Sequence, residues 1–200
     1  FNDFSKTIAT YGYLRGTGDL IKRSKNFYYM DHGYFKQSKR KFENNKTKIV
    51  DFDGYFRIVQ NNYWHNGKGN KPSDRLNKLN LNFKNLTKNG NYIILSEPTE
   101  DAKNFYNLHD WVANTKKKLK DLTDRKLIVH NRSSPTPLIN LLENAWAFVS
   151  DHSSAGFIAM QEGVPAYFTN STLSNIGKIE DIEKNNIKYS VFNNLAYEQW

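Results

Sequence analysis

The chain has 200 residues and a mass of 23.4 kDa, enough for one large domain or two small ones with a real core, and its 14% aromatic content excludes a disordered chain. Cysteine is absent, which excludes disulfide scaffolds, thiolate metal sites and cysteine nucleophiles; no apolar run approaches the roughly 20 residues of a membrane span. The net charge of +9 is unevenly placed: residues 1–90 hold 18 basic and 7 acidic residues, a net of +11, and the remainder holds 11 and 13, a net of −2.

In chain order, Thr7-Ile8-Ala9-Thr10-Tyr11 reads as a strand, residues 16–23 as a short helix, and Phe27-Tyr28-Tyr29-Met30 as a second strand. Residues 48–50 and 56–59 look extended, and the Asn-, Lys- and Gly-rich stretch 61–91 predicts a loop with one short element near residues 79–86. Beyond it the rhythm is clearer. Tyr92-Ile93-Ile94-Leu95-Ser96 is a strand, residues 108–122 a helix, Lys126-Leu127-Ile128-Val129-His130 a strand and residues 138–144 a helix. Ala147-Phe148-Val149-Ser150 is the next strand, 153–162 a helix ended by Gly163, and Val164-Pro165-Ala166-Tyr167-Phe168 a fourth strand. Short apolar strands alternating with helices predict parallel βαβ units. The expected fold is α/β, with two small Rossmann-like lobes carrying parallel sheets, divided into residues 1–90 and 91–200.

Compositional drift would raise lysine in both halves, so the +11 first part predicts contact with a polyanion. In an open parallel sheet, ligands bind beyond the carboxyl ends of the strands, where helix N-termini offer N–H groups to anions. Ser153-Ser154-Ala155-Gly156 opens a helix with small residues suited to a phosphate, and Arg132 follows the preceding strand as a bidentate partner for a diphosphate. Capping alone also explains Asp151 or Ser153. Asp31-His32, at a strand end, supplies a general base; a structural Asp capping the next turn is the competing reading. Arg15-Gly16-Thr17-Gly18 is a second anion-loop candidate, although it lacks the full pattern of a P-loop or a dinucleotide fold. The five histidines lack metal-ligand spacing. Asp51-Phe52-Asp53 fits a metal-diphosphate pair but reads better as a strand edge.

The stretch Asn144-Ala145-Trp146-Ala147-Phe148-Val149-Ser150-Asp151-His152-Ser153-Ser154-Ala155-Gly156-Phe157, continuing to Gly163-Val164-Pro165, resembles the donor-binding segment of GT-B glycosyltransferases. It is similar to the (V/I)-(S/T)-D-x-S-S…G-x-P segment of capsule-polysaccharide and teichoic-acid-type transferases. Residues 27–35 and 11–18 resemble first-lobe loops of compact phage-encoded proteins of this kind, some of which glycosylate hydroxylated or hydroxymethylated bases of phage DNA. The stronger part spans residues 92–177.

The resemblance implies transfer of a sugar from a nucleotide-sugar, a UDP-sugar foremost, to an acceptor hydroxyl, with no further cofactor and a divalent metal compatible. It implies that the second lobe binds the donor and the first the acceptor, for which the basic half suggests DNA. Ser153, Ser154, Gly156 and Asp151 would meet the donor; Arg132 would neutralise the leaving diphosphate; Arg15 and Glu162 are further donor contacts. Asp31 would be the base, with His32 in reserve. Lys36, Lys39, Arg40, Lys41 and Arg57 are expected on acceptor phosphates, and Tyr55, Phe56, Tyr63 and Trp64 are candidates for stacking. A polysaccharide acceptor, or a non-catalytic nucleic-acid-binding protein, are the rival expectations. A cytoplasmic location without membrane contact completes the reading.

Overall fold

The computed structural model describes residues 7–37, 40–43, 47–50, 53–86, 89–184 and 190–200, with backbone alone for 40–43 and 47–50. In order these form β1 (Ile8–Tyr11), α1 (Thr17–Arg23), β2 (Phe27–His32), β3 (Arg40–Glu43), β4 (Thr47–Val50), β5 (Phe56–Gln60), α2 (Asp74–Lys78) and β6 (Tyr92–Ser96). Then follow α3 (Glu100–Tyr106), α4 (Trp111–Lys120), β7 (Lys126–His130), α5 (Leu138–Leu142), β8 (Ala145–Ser150), α6 (Ala155–Gln161), β9 (Ala166–Phe168) and α7 (Ser190–Tyr197). Two compact units result: Phe1–Asn80 with Ser190–Trp200, and Leu81–Tyr189. The division thus falls at residue 80 rather than 90, and the C-terminal helix, expected with the second lobe, belongs to the first unit. No helix among the described residues is long and apolar enough to cross a membrane.

The second unit is a four-stranded parallel sheet in the order β7-β6-β8-β9. Its central strands are continuous apolar runs because both faces are covered. On one face Ile93, Leu95, Ala147 and Val149 pack with Trp111 and Leu119 of α4 and with Ile179 and Ile182. On the other lie Ile94, Phe148 and Phe168, the last with its ring centroid 5.5 Å from that of Phe157 in α6. Each such large side chain, fully buried, contributes about 1.5–3 kcal/mol. The predicted helix 108–122 is the shorter α4, and α3 before it escaped the periodicity reading. A seven-residue helix shows too few turns to establish a period. Its ends are nonetheless marked: the Thr99 hydroxyl accepts from the Ala102 N–H, and Asn107 closes it at φ 57°.

The first unit differs from a second Rossmann-like lobe. Its main sheet, β1-β2-β5, is mixed: β1 runs parallel to β2 across α1, but β5 is antiparallel to β2. Parallel return needs a crossover, usually helical, and the chain between β2 and β5 makes the antiparallel hairpin β3–β4 instead. The short element in the 61–91 stretch is α2, ahead of its expected position at 79–86. Helix α7 joins this unit through Phe192, whose ring meets that of Phe35 at 5.8 Å, and through Val191 against Gly67. Asn194, buried in the same helix, donates to the carbonyls of Gly67 and Gly69 and accepts from the Lys71 N–H.

Candidate functional site

Strand order locates the ligand edge of the second unit. From β6 the chain passes to β7 on one side; β8 and β9 lie on the other, so the topological switch point is between β6 and β8. Ligands of open parallel sheets bind beyond the carboxyl ends at such a point. The residues there are Ser96 and Glu97 after β6, and Asp151, His152 and Ser153 after β8.

Asp151 is only 8% exposed, and its carboxylate is held at both oxygens. His152 Nδ1 lies 2.6 Å from Oδ2, and Thr169 Oγ1 donates to Oδ1 at 2.9 Å. Trp111 Nε1 donates in turn to Thr169 Oγ1 at 2.7 Å. A carboxylate only accepts, so Nδ1 carries the proton in this pair and the ring orientation is fixed. The Tyr106 ring packs on the imidazole with centroids 4.5 Å apart. This Trp111–Thr169–Asp151–His152 chain was not visible in the sequence, where Trp111 and Thr169 stand 58 residues apart. The adjacency of Asp151 and His152 was the available signal.

Around it the expected donor residues part company. Ser153 is at the switch point: its N–H donates to Ser150 Oγ at 3.2 Å and its hydroxyl oxygen accepts from the Ala155 N–H at 3.3 Å. Ser154 is half-buried at the start of α6, and its side chain makes no capping bond. Gly156 has a packing role that the sequence reading did not include. A Cβ there would lie 2.6 Å from Phe168 Cζ, so the glycine lets helix and sheet approach each other closely. Glu162 follows the far end of the seven-residue α6, about 12 Å along its axis from Ser154, and pairs with Lys84. Arg132 is exposed in the turn after β7, but β7 is not the neighbour of β8; β6 lies between them, so two strand spacings, about 10 Å, separate the two edges.

The group that does occupy the neighbouring strand end is Glu97, which the sequence reading passed over. Its carboxylate accepts from Asn131 Nδ2 at 2.9 Å and from Lys103 Nζ at 2.7 Å. These donors, Asn131 first, hold its pKa below the usual carboxylate range. Lys103 also pairs with Glu100 at 2.8 Å.

In the first unit, strand alternation separates the two expected catalytic residues. Asp31 points to the buried side, where Oδ2 accepts from the Tyr29 hydroxyl at 2.9 Å and from Arg57 at 3.1 Å, and Oδ1 accepts from the His32 N–H at 2.8 Å. His32 points to the opposite face, with Nε2 3.5 Å from the Tyr11 hydroxyl. Arg57 is 2% exposed and cannot reach an acceptor phosphate, contrary to expectation. Its Nε donates to the Tyr63 carbonyl at 3.0 Å, one terminal nitrogen donates to the His32 carbonyl, and the guanidinium lies 3.8 Å from the Trp64 ring centroid. Trp64 is therefore buried beneath Arg57 rather than open for stacking, and Tyr63 packs on Phe27 and Tyr29.

The segment after His32 is pinned from the C-terminus. Gln199 Oε1 accepts from the N–H groups of Tyr34 and Phe35, each at 2.9 Å, and a Cβ on Gly33 would lie 2.8 Å from that oxygen. Tyr34 Oη is 3.0 Å from His65 Nδ1, and His65 Nε2 is 3.1 Å from Glu198. Burial, the larger effect, holds the His65 pKa down despite Glu198, and burial raises that of the Tyr34 hydroxyl. Arg15 and Lys36 are exposed in turns with φ of 58° and 45°. Lys39 and Asp51 lie outside the described residues, as do the side chains of Arg40 and Lys41. Among the described residues no group of three or more His, Asp or Glu could hold a metal. No protein-family model matches the chain, and no curated protein matches it significantly.

Proposed function

We propose that the protein is a glycosyltransferase that moves a sugar from a nucleotide-sugar to an acceptor hydroxyl, with a hydroxylated or hydroxymethylated DNA base as the leading acceptor. The observation that carries this reading is the Asp151-His152-Ser153 turn at the switch point of a parallel sheet, where nucleotide phosphates bind in folds of this topology. In this reading the second unit binds the donor. His152, oriented by Asp151, and the Ser153–Ser154 backbone and hydroxyls meet the diphosphate, stabilising charge as it leaves.

The first unit takes the acceptor. Asp31 or His32 accepts the proton of the attacking hydroxyl as its oxygen bonds to the anomeric carbon and the bond to the diphosphate breaks. Of the two, His32 has the better placed ring nitrogen, since Asp31 already accepts three hydrogen bonds. Lys36 remains an acceptor-side cation; Arg15, expected on the donor, lies in the first unit and joins it on the acceptor side, and Arg132 moves from the diphosphate to the rim of the second unit.

Calorimetry with UDP, GDP, CDP, CMP and ADP tests the donor assignment. Micromolar binding of one diphosphate is expected, weakened at least tenfold by His152→Ala, a loss of about 1.4 kcal/mol. Absence of binding by all five would remove the transferase reading.

A further inference from the structure

The three-stranded sheet of the first unit has one buried face and one open face. Tyr29, Arg57 and Val59 fill the buried side; alternation sends Tyr11, Tyr28, His32, Phe56 and Ile58 to the other. On that side Tyr11 is 45% exposed, Tyr28 40% and Ile58 43%. An antiparallel or mixed sheet normally presents polar residues where it meets water, so an open face on which aromatic and aliphatic side chains outnumber the polar Gln60 and His32 points to a partner.

Three rings meet at the end of this face where β1 and β2 finish. His32 and Phe56 stack at 6.0 Å with planes 21° apart, and Tyr11 lies 6.2 Å from His32 and 6.1 Å from Phe56. Trp200, 71% exposed, exchanges both backbone hydrogen bonds with Phe56. Its ring meets a cation instead of joining the row: the Arg75 guanidinium lies 5.2 Å from the ring centroid. Arg15 and Lys36 occupy the turns that leave this same edge, four residues beyond Tyr11 and His32. Among the described residues neither cation has a hydrogen-bonded or ion-paired side-chain partner.

We infer that this face binds single-stranded nucleic acid, with unstacked bases lying on the Tyr11–His32–Phe56 row and the phosphodiester chain on Arg15 and Lys36. Every base has a π-face, so a row of rings accepts any sequence, and cations at one rim suit a backbone that passes along it. Charge decides between occupants. A neutral sugar would also lie on aromatic rings but gives the two cations nothing to bind, and a duplex offers phosphates while its base faces stay stacked inside. The inference rests on the assignment of the acceptor to the first unit and deepens it: the acceptor is an unpaired or flipped-out nucleotide.

Fluorescence anisotropy of the full chain with a labelled oligodeoxythymidine, against a duplex of equal length, heparin and a neutral oligosaccharide, tests it. The single strand is expected to bind more tightly than the duplex. Tyr11→Ala, an exposed position, should weaken it about tenfold with the salt slope unchanged, and Tyr11→Phe should restore it. The double variant Arg15→Ala/Lys36→Ala should lower the salt slope by about 1.4, two contacts at roughly 0.7 each. The urea midpoints of the variants establish that they are folded. Equal binding of single strand, duplex and heparin, indifference to Tyr11→Ala, or binding of the neutral oligosaccharide alone would overturn the inference. Oligonucleotide binding without nucleoside-diphosphate binding keeps this inference and removes the transferase; diphosphate binding without oligonucleotide binding does the reverse.

Discussion

A guanidinium is costly to bury unless every donor is met, and Arg57 is met on all sides: the Asp31 carboxylate, the carbonyls of His32 and Tyr63, and the Trp64 ring. Arg57→Ala would leave the Asp31 carboxylate beside an empty, part-buried space. A loss of about 3–5 kcal/mol in unfolding free energy is expected from urea titration. Arg57→Lys should recover little, because an ammonium cannot reproduce the planar fork or its stacking on indole. The sequence showed Arg57 as one more cation in a basic half. Nothing in composition separates a solvated arginine from a buried one; the strand alternation Phe56-Arg57-Ile58-Val59, with Arg57 and Val59 on one side, was the signal. His65 carries a pH dependence of its own. Its folded pKa lies below the ordinary 6.5 because burial disfavours the imidazolium, so the unfolded chain binds the extra proton first. Its contribution to stability is therefore complete above about pH 6.5 and is lost as the pH falls from there toward the folded value. Urea midpoints between about pH 5 and pH 8 should fall at the acid end, with a shallower fall in His65→Gln.

At the level of elements, the close approach of α6 to the sheet rests on one missing methyl. Gly156→Ala would push a Cβ to 2.6 Å from the Phe168 ring, which is itself fixed against Phe157. Overpacking of this kind costs about 1–3 kcal/mol, and a lower melting temperature with the secondary structure retained is expected by circular dichroism. If the glycine instead served a ligand, the variant would fold as stably as the parent and lose nucleotide binding alone. The strands of the second unit were legible because both of their faces are covered: Ile93, Ile94 and Leu95 are all buried, leaving no polar interruption to confuse the reading. Strand order was not legible. Arg132 and Ser153 looked like neighbours because the elements before them are consecutive strands in the chain. The crossover from β7 to β8 over β6 is decided by packing that no local pattern records. The mixed sheet of the first unit hid for a related reason, since parallel and antiparallel pairs share the same alternation.

For the molecule as a whole, the charge asymmetry of the sequence coincides with a structural division, though not at the expected residue. Residues 61–91 read as a loop because they are rich in Asn, Lys and Gly; in fact most of them complete the first unit, where Arg75 donates to the carbonyls of Tyr197 and Gln199. The distance in sequence between those partners is what concealed the arrangement. It also has a consequence for biosynthesis. A ribosome releases the chain in order, and domains ordinarily fold from the N-terminus forward. Here the segment Leu81–Tyr189 is contiguous and can complete its sheet while translation continues, whereas the unit begun first lacks helix α7 and the Gln199 amide until residues 190–200 emerge. During that interval the Tyr34 and Phe35 amides wait for the Gln199 oxygen, and the Phe35 ring waits for Phe192. The half that is made first is the half that matures last, and a chain cut before residue 190 would keep every element of the second unit while lacking α7 of the first.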